Sequence, residues 1–241
     1  MLERLTNFPA NSVSARKSAE EKLRAAIVAG QLLPGQRLPE RMLCELTGVG
    51  RTTIREAIRQ LESEGLVTTV PHRGPTVAML SEKEARDLYE LRAMLEGQAG
   101  RLCAERGTAG HAAALHRAVD ALDEARRACQ ISGVIDANGD FYAALTFGAG
   151  NDALRQALAS IHNRLAFFRF SSTRWPGRTE RSVAELRAVA DAVSARDGAA
   201  AEAACIHHIE AAAELALLVL AERAQGAALA RRRRPIAAAG G

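Results

Sequence analysis

The stretch from Glu40 to Arg59, ERMLCELTGVGRTTIREAIR, constrains the fold more than any other part of the chain. Ile54, Ala57, Ile58 and Leu61 fall at i, i+3, i+4 and i+7, the spacing of one buried helical face. Arg51, Thr52 and Arg55 are left on the opposite face. Upstream, Met42, Leu43 and Leu46 form the expected buried set of a shorter helix. Thr47-Gly48-Val49-Gly50 supplies a corner that glycine permits, with Val49 directed into the core. The pattern predicts a helix-turn-helix over residues 40–59 whose outer face suits a polyanion. The alternative is a pair of amphipathic helices whose arginines are merely solvated.

Flanking sequence favours the first reading. Val67-Thr68-Thr69-Val70 is a β-branched run, Pro71 to Pro75 a turn, and Thr76-Val77-Ala78 a second short strand. A basic-tipped hairpin beside such a helix pair is a wing. Ser14 to Ala29 is expected to form the first helix, with Gly30 as its stop. The expected organisation is a flexible arm over residues 1–12 and a winged helix-turn-helix over 13–79. Charge agrees: residues 1–80 hold 11 Lys or Arg against 8 Asp or Glu, and Arg231 to Arg234 form a second basic cluster.

Motifs in this half resemble, in order, those of the GntR family of bacterial winged-helix regulators. They are Gly30-Gln31-Leu32-Leu33-Pro34-Gly35-Gln36-Arg37-Leu38-Pro39-Glu40, Gly50-Arg51-Thr52-Thr53-Ile54-Arg55-Glu56-Ala57-Ile58, Glu64-Gly65-Leu66-Val67 and Arg73-Gly74-Pro75-Thr76-Val77. The chain departs from the family at Gly50, commonly Ser or Thr, and at Thr53, commonly Pro. Gly in place of Ser weakens a helix start by only about a few tenths of a kcal/mol. The resemblance implies operator DNA as partner, with Arg41, Gly50, Arg51, Thr52, Thr53, Arg55, Arg73 and Gly74 at the contact. Arginines on the second helix would read base edges while Arg41 and the wing meet the backbone.

Beyond Met79 the chain reads as helix after helix. Ser81 and Glu84 form a capping box, and Leu88, Leu91, Leu95, Ala99 and Leu102 give the first stripe. Further helices are expected from Thr108 to Gln130, Val134 to Phe147, and Gly150 to Phe170. Another opens at Ser182 with Glu185 as its capping box, and a last one follows Gly198 to about Ala224. The fold class is therefore mainly α. An N-terminal winged helix-turn-helix with a small hairpin precedes an antiparallel bundle of about six helices over residues 81–225, and a disordered Arg-rich tail covers 226–241. A hydrophobic fraction of 48% with only 4% aromatics suits closely packed helices. Cys44, Cys103, Cys129 and Cys205 are widely spaced, which excludes a CxxC centre and favours buried thiols. No stretch is expected to span a membrane, and the expected compartment is the cytoplasm.

The helical half is similar to the ligand-binding domain of the FadR subfamily, through Leu91-Arg92-Ala93-Met94-Leu95-Glu96, Gly150-Asn151 and the spacing of the later helices. Many members hold a divalent metal there through Asp-x3-His and two further histidines. The matching positions here are Asn138, Tyr142, Leu186 and His208, of which only His208 keeps its ligand. An amide, a phenol and an alkyl group do not replace carboxylate and imidazole around such an ion. The expectation is a pocket without metal or other cofactor, in which Arg92, Asn138, Tyr142, Leu186 and His208 meet a small effector with an apolar body and an acidic or polar end. Tyr142 and His208 as satisfied core residues, and Arg92 with Glu96 as an exposed ion pair, are the plainer readings. His162, Arg164 and Arg169 are further candidates. The resemblance implies a homodimeric, ligand-responsive regulator rather than an enzyme. A hydrolase using buried histidines and a DNA binder without effector are the alternatives, but no nucleophile elbow, phosphate loop or HExxH accompanies the histidines.

Overall fold

The computed structural model describes residues 10–166, 168, 171 and 175–232. Helix α1 (Ala10–Val28) is followed by α2 (Glu40–Thr47), α3 (Arg51–Ser63), β1 (Val67–Val70) and β2 (Gly74–Val77). Then come α4 (Glu82–Arg106), α5 (Ala109–Arg127), α6 (Ile131–Gly148), α7 (Asp152–Arg164), α8 (Arg178–Ser194) and α9 (Gly198–Arg232). The chain separates into two compact units, one of residues 1–79 with 155–170, the other of 80–154 with 171–241.

In the first unit Leu23, Leu38, Leu43, Ile54, Leu61 and Val77 meet in one apolar core, and Val49 packs against its edge. The corner after α2 depends on Gly48, which takes a φ of 79° while its N–H donates to the Cys44 carbonyl at the helix end; a side chain there would be strained. Gly50 starts α3 with extended backbone and no side-chain cap. The hairpin is antiparallel, pairing Val67 with Val77 and Val70 with Gly74, so its second strand starts and ends ahead of the expected Thr76 to Ala78. Leu46 is exposed, contrary to expectation; the inward face of α2 is Leu43 and Thr47, one turn apart. Helix α1 also begins earlier than expected, at Ala10, within the segment read as a loose arm.

In the second unit α9 runs along α4 and α8, α5 packs on α6 and α8, and α6 on α4. The capping box at Ser81 is present, with the Ser81 hydroxyl accepting the Glu84 N–H and Glu84 accepting from the Ser81 N–H at 2.9 Å. The second expected box is not. Helix α8 begins at Arg178 after Gly177, which leaves Ser182 inside the helix and Glu185 turned to the interior. Residues 155–170 group by contact with the winged helix. Helix α7 carries its own stripe of Leu154, Leu158 and Ile161, and the Arg164 side chain lies against Gly65.

Composition accounts for two further differences. Helix α9 continues to Arg232, past the expected start of a tail at 226, because Ala227 to Ala230 has strong helix propensity; residues 233–241 lie outside the described set. Gly198–Glu222 is also long and apolar enough to cross a membrane by length and composition alone, which corrects the expectation that no stretch approaches that size. Its alanines raise the average although Glu202, Glu210 and Glu214 interrupt it. Cys103 and Cys205 are buried as expected, whereas Cys129 is exposed just past α5 at a φ of 55°. Burial pushes the Cys103 thiol up to about 11, the setting of an inert thiol.

Candidate functional site

The exposed site lies on α2, α3 and the wing. Packing Ile54, Ala57, Ile58 and Leu61 inward forces Arg51, Thr52 and Arg55 outward, all exposed, with Thr53 half-buried beside them. Arg41 stands at the start of α2, with a long contact to Glu45 at 3.6 Å. Arg73 is exposed at the hairpin tip, where His72 and Gly74 take φ values of 62° and 75° and turn the chain tightly. Among the described residues, and apart from Gly74 and its two chain neighbours, no atom lies within 4 Å of the place a Gly74 side chain would occupy, so the bare backbone is open to an approaching surface. Of the residues that the sequence pattern assigns here, Arg41, Arg51, Thr52, Arg55 and Arg73 are exposed. One partner escapes that pattern: Glu40, whose Oε1 accepts a hydrogen bond from Arg55 Nε at 2.7 Å.

The interior site is built by α4, α6, α8 and α9. Arg92 and Glu96 are one turn apart on α4 and almost wholly buried, joined at 2.6 Å through Arg92 Nε. The Arg92 guanidinium carbon is 5.1 Å from the centre of the Tyr142 ring and 5.8 Å from that of Tyr89. Tyr142 OH meets His208 Nε2 at 3.0 Å, His208 Nδ1 meets Glu185 Oε2 at 2.6 Å, and Glu185 accepts from Arg178 Nη1 at 2.8 and 3.0 Å. Phe141 stacks edge-on against Tyr142, and Leu186 is buried on α8. Asn138 stays half-buried and donates its amide to the Val134 carbonyl of its own helix.

Electrostatics fixes the protons in this cluster. Burial lowers the His208 pKa, and the opposing pull of Glu185 does not restore it, so His208 is neutral near pH 7. Burial alone would raise Glu185, but hydrogen bonds from His208 and Arg178 and the charge of Arg178 hold it below the usual carboxylate range. An ionised Glu185 accepts the Nδ1–H, leaving Nε2 to accept from the Tyr142 hydroxyl. Arg92 loses solvation by burial yet is held above its ordinary value by Glu96 and the two phenols. The formal charges therefore cancel in pairs.

Structure thus brings Arg92, Tyr142 and His208 together and adds Tyr89, Glu96, Arg178 and Glu185, while Leu186 is buried on α8. The reading of Arg92 and Glu96 as an exposed pair is wrong: they occupy the centre of the inward face of α4, where the apolar stripe places Leu91, which is instead exposed. A glutamate inside the apolar stripe of α8 is the sequence signal for Glu185, obscured by the serine three residues before it. His162 and Arg164 belong to the other compact unit, and Arg169 lies outside the described residues. Among the described residues no three His, Cys, Asp or Glu gather as a metal would require. Nor, among them, does His116 complete a catalytic triad: it presents the same Nε2 to Ser194 at 2.9 Å and to Asp191 at 3.9 Å, whereas a triad uses opposite ring nitrogens.

A winged helix with an exposed basic recognition face, joined to a helical unit with a buried polar cluster, defines a DNA-binding regulator with a sensing domain. Residues 15–77 match the family model described as bacterial regulatory proteins, gntR family, and residues 87–211 match the FCD domain. The chain belongs to the GntR family, with an FCD effector-binding domain, and is a ligand-responsive transcriptional regulator. It is 34% identical over 139 residues to the Nta operon transcriptional regulator of Aminobacter aminovorans, a match covering 57% of this chain and 65% of that protein. With the transcriptional repressor GlaR of Escherichia coli K12 it shares 30% identity, over 78% of this chain and 89% of that one. The fold is that of E. coli McbR/YncC, with a TM-score of 0.73 at 21% identity, covering 87% of this chain and 98% of that one. A GntR regulator from Rhodococcus sp. RHA1 gives 0.72 at 25% identity, with 85% and 98% covered.

Proposed function

We propose that the protein is a cytoplasmic homodimeric repressor that leaves its operator when a small metabolite enters the Arg92, Tyr142 and His208 cluster, without help from a metal. The observation that carries the proposal is the connected polar chain from Tyr142 through His208 and Glu185 to Arg178. It ties α6, α8 and α9 together in an apolar interior. A ligand that inserts among these groups must repair each hydrogen bond it breaks, so binding is selective and mechanically coupled to three helices. Metal independence is supported by the donor chemistry, since both ring nitrogens of His208 are engaged and Asn138, Tyr142 and Leu186 replace the family's ligands.

Glu96 uses the Arg92 Nε–H, so an acidic or polar ligand end would take the terminal N–H groups of the same guanidinium. Leu186 and Phe141 suit an apolar ligand body. The DNA contacts in this reading are Arg41, Gly50, Arg51, Thr52, Thr53, Arg55, Arg73 and Gly74, and two copies would double them on a palindromic site. In this reading the partner copy seats against the groove of about 670 Å³ between α4 and α9, lined among others by Arg86, Ala93, Met94, Ile206, Glu214 and Leu217.

The test is a thermal-shift screen of carboxylic acids and their neutral analogues on chelator-treated protein. Hits are then added to a complex with a selected duplex whose mass is followed by light scattering. We expect two chains per duplex, release by the stabilising compound, and loss of that response in Arg92→Lys. A response that requires zinc, nickel or manganese would overturn the proposal, as would release of DNA from single chains.

A further inference from the structure

We infer that Glu40 is a positioning residue for base recognition: it presets the Arg55 guanidinium and thereby sharpens operator specificity, although it is acidic and sits on the face turned to DNA. The inference rests on the assignment of Arg55 to the DNA face and goes beyond it.

Three features carry the argument. First, the pair joins two elements. Glu40 opens α2 directly after Pro39, and Arg55 sits one turn into α3; their contact, Oε1 to Nε at 2.7 Å, spans the helix-turn-helix corner. Glu40 is itself well seated. Pro39 has an extended ψ of 132° and accepts the Leu43 N–H, while the neighbouring Leu38 N–H donates to Pro75 at the wing. The carboxylate therefore projects from a fixed backbone onto a long side chain that would otherwise explore many rotamers.

Second, the geometry leaves the useful edge of the guanidinium open. A carboxylate that takes Nε–H leaves the two terminal nitrogens as a planar fork, the arrangement that meets O6 and N7 of guanine with two parallel hydrogen bonds. The Arg55 side chain remains 63% exposed despite the pair, so the fork is accessible. Neighbouring arginines are treated differently. Among the described residues Arg41 has the long 3.6 Å contact with Glu45 and an 87% exposed side chain, which suits a phosphate contact that needs charge without orientation.

Third, the charge of Glu40 has the wrong sign for mere affinity. A carboxylate between the recognition arginines repels phosphates, and it accepts a hydrogen bond from Arg55 while lying close enough to Arg51 to be stabilised by it. Its net effect is to subtract one positive charge from the face presented to any duplex while keeping Arg55 aimed for one base. Non-specific binding is weakened by that subtraction; binding to a matched site is compensated, because the orienting has been done in advance.

The experiment compares wild type with Glu40→Gln, Glu40→Asp, Arg55→Ala and the double variant Glu40→Gln/Arg55→Ala. The probes are a duplex selected by the wild type from a randomised library and a scrambled duplex of equal length, each titrated over a range of salt. For Glu40→Gln we expect scrambled DNA to bind more tightly, with a salt slope steeper by about one phosphate contact. The preference for the selected duplex should fall by about tenfold, the scale of one base contact. Glu40→Asp keeps the charge but is one methylene shorter, so it should lose preference without the gain for scrambled DNA. The double variant should match Arg55→Ala in its preference, because Glu40 acts through Arg55.

Preference unchanged in Glu40→Gln while Arg55→Ala loses it would overturn the positioning role and leave the DNA face intact. Additive losses in the double variant would overturn it as well. If Arg55→Ala keeps full preference, the base-reading assignment itself fails and the inference falls with it. Both side chains lie at the surface, so unchanged circular dichroism and melting will confirm that the variants fold.

Discussion

Two Arg–Glu pairs of nearly the same length show how much environment decides. Arg55 and Glu40 meet at 2.7 Å with side chains 63% and 32% exposed; Arg92 and Glu96 meet at 2.6 Å with both side chains 2% exposed. At the surface, water and salt screen the attraction and solvate either partner if the other is lost. That pair contributes orientation more than stability. Inside the helical unit neither charge could be tolerated alone, and each exists because the other does. The surface pair can serve recognition because it is easily released, whereas the interior pair holds a charged group where a ligand can find it.

The largest expected effect tests this difference directly. Glu96→Ala leaves the Arg92 charge without its carboxylate and should destabilise the helical unit by about 3–5 kcal/mol, whereas replacing Arg92 and Glu96 together by Met and Leu should be far milder. Glu40→Ala should leave melting unchanged. Urea denaturation followed by circular dichroism distinguishes them. Comparable stability losses from Glu96→Ala and Glu40→Ala would show that burial is not what separates the pairs.

The same difference explains which parts of the molecule can be read from sequence. The winged helix is legible because its signals are local: a stripe of Ile54, Ala57, Ile58 and Leu61, glycine at the corner, and β-branched runs around a turn. The helical elements are also legible from periodicity. The facing of α4 is not, because the rule that apolar residues face inward puts Leu91 inside and Arg92 on the flank. The fold reverses them because Arg92 and Glu96 neutralise one another one turn apart. Glu185 is hidden for a related reason. Its partners are His208, 23 residues downstream on α9, and Arg178, two turns upstream on α8, and only packing of α8 on α9 brings His208 to it. Charges that find partners across the structure defeat local patterns.

A second, smaller effect sharpens the contrast through protonation. The His208 pKa is lowered by burial from its ordinary value of 6.5, so between the folded and unfolded values the unfolded chain binds more protons. Stability then rises with pH in that window, is fully present above about pH 6.5, and is lost progressively as pH falls below it. Glu185 is lowered too, so its contribution is lost at more acid pH still, as the carboxylate protonates. Denaturation at pH 7.5, 6.5 and 5.5 should show the helical unit weakening on acidification (test pH values chosen about the ordinary histidine pKa). His208→Gln keeps hydrogen-bonding capacity without titrating and should flatten the upper part of that dependence. An equally steep dependence in His208→Gln would assign it to another group and break the proton assignment of the cluster.

The smallest effect concerns two copies of one sequence pattern, Ser-x-x-Glu, which the fold uses in opposite ways. At Ser81 the pattern is a solvent-facing cap: the hydroxyl accepts the Glu84 N–H at 3.2 Å, and Glu84 folds back to the Ser81 N–H. At Ser182 the helix has already started at Arg178, so there is no free N–H for the hydroxyl to cap, and Glu185 is drawn inward by His208 and Arg178. Ser81→Ala should therefore cost about 1 kcal/mol. Ser182→Ala places a better helix former at an interior position and should be neutral to within about 0.5 kcal/mol. Equal losses at the two serines would mean that α8 begins at Ser182 after all. Glu185 would then fold back onto a helix end, and the polar chain from Tyr142 to Arg178 would lose its central carboxylate. A pair of alanine substitutions near the surface thus tests the geometry of the buried cluster without disturbing any residue in it.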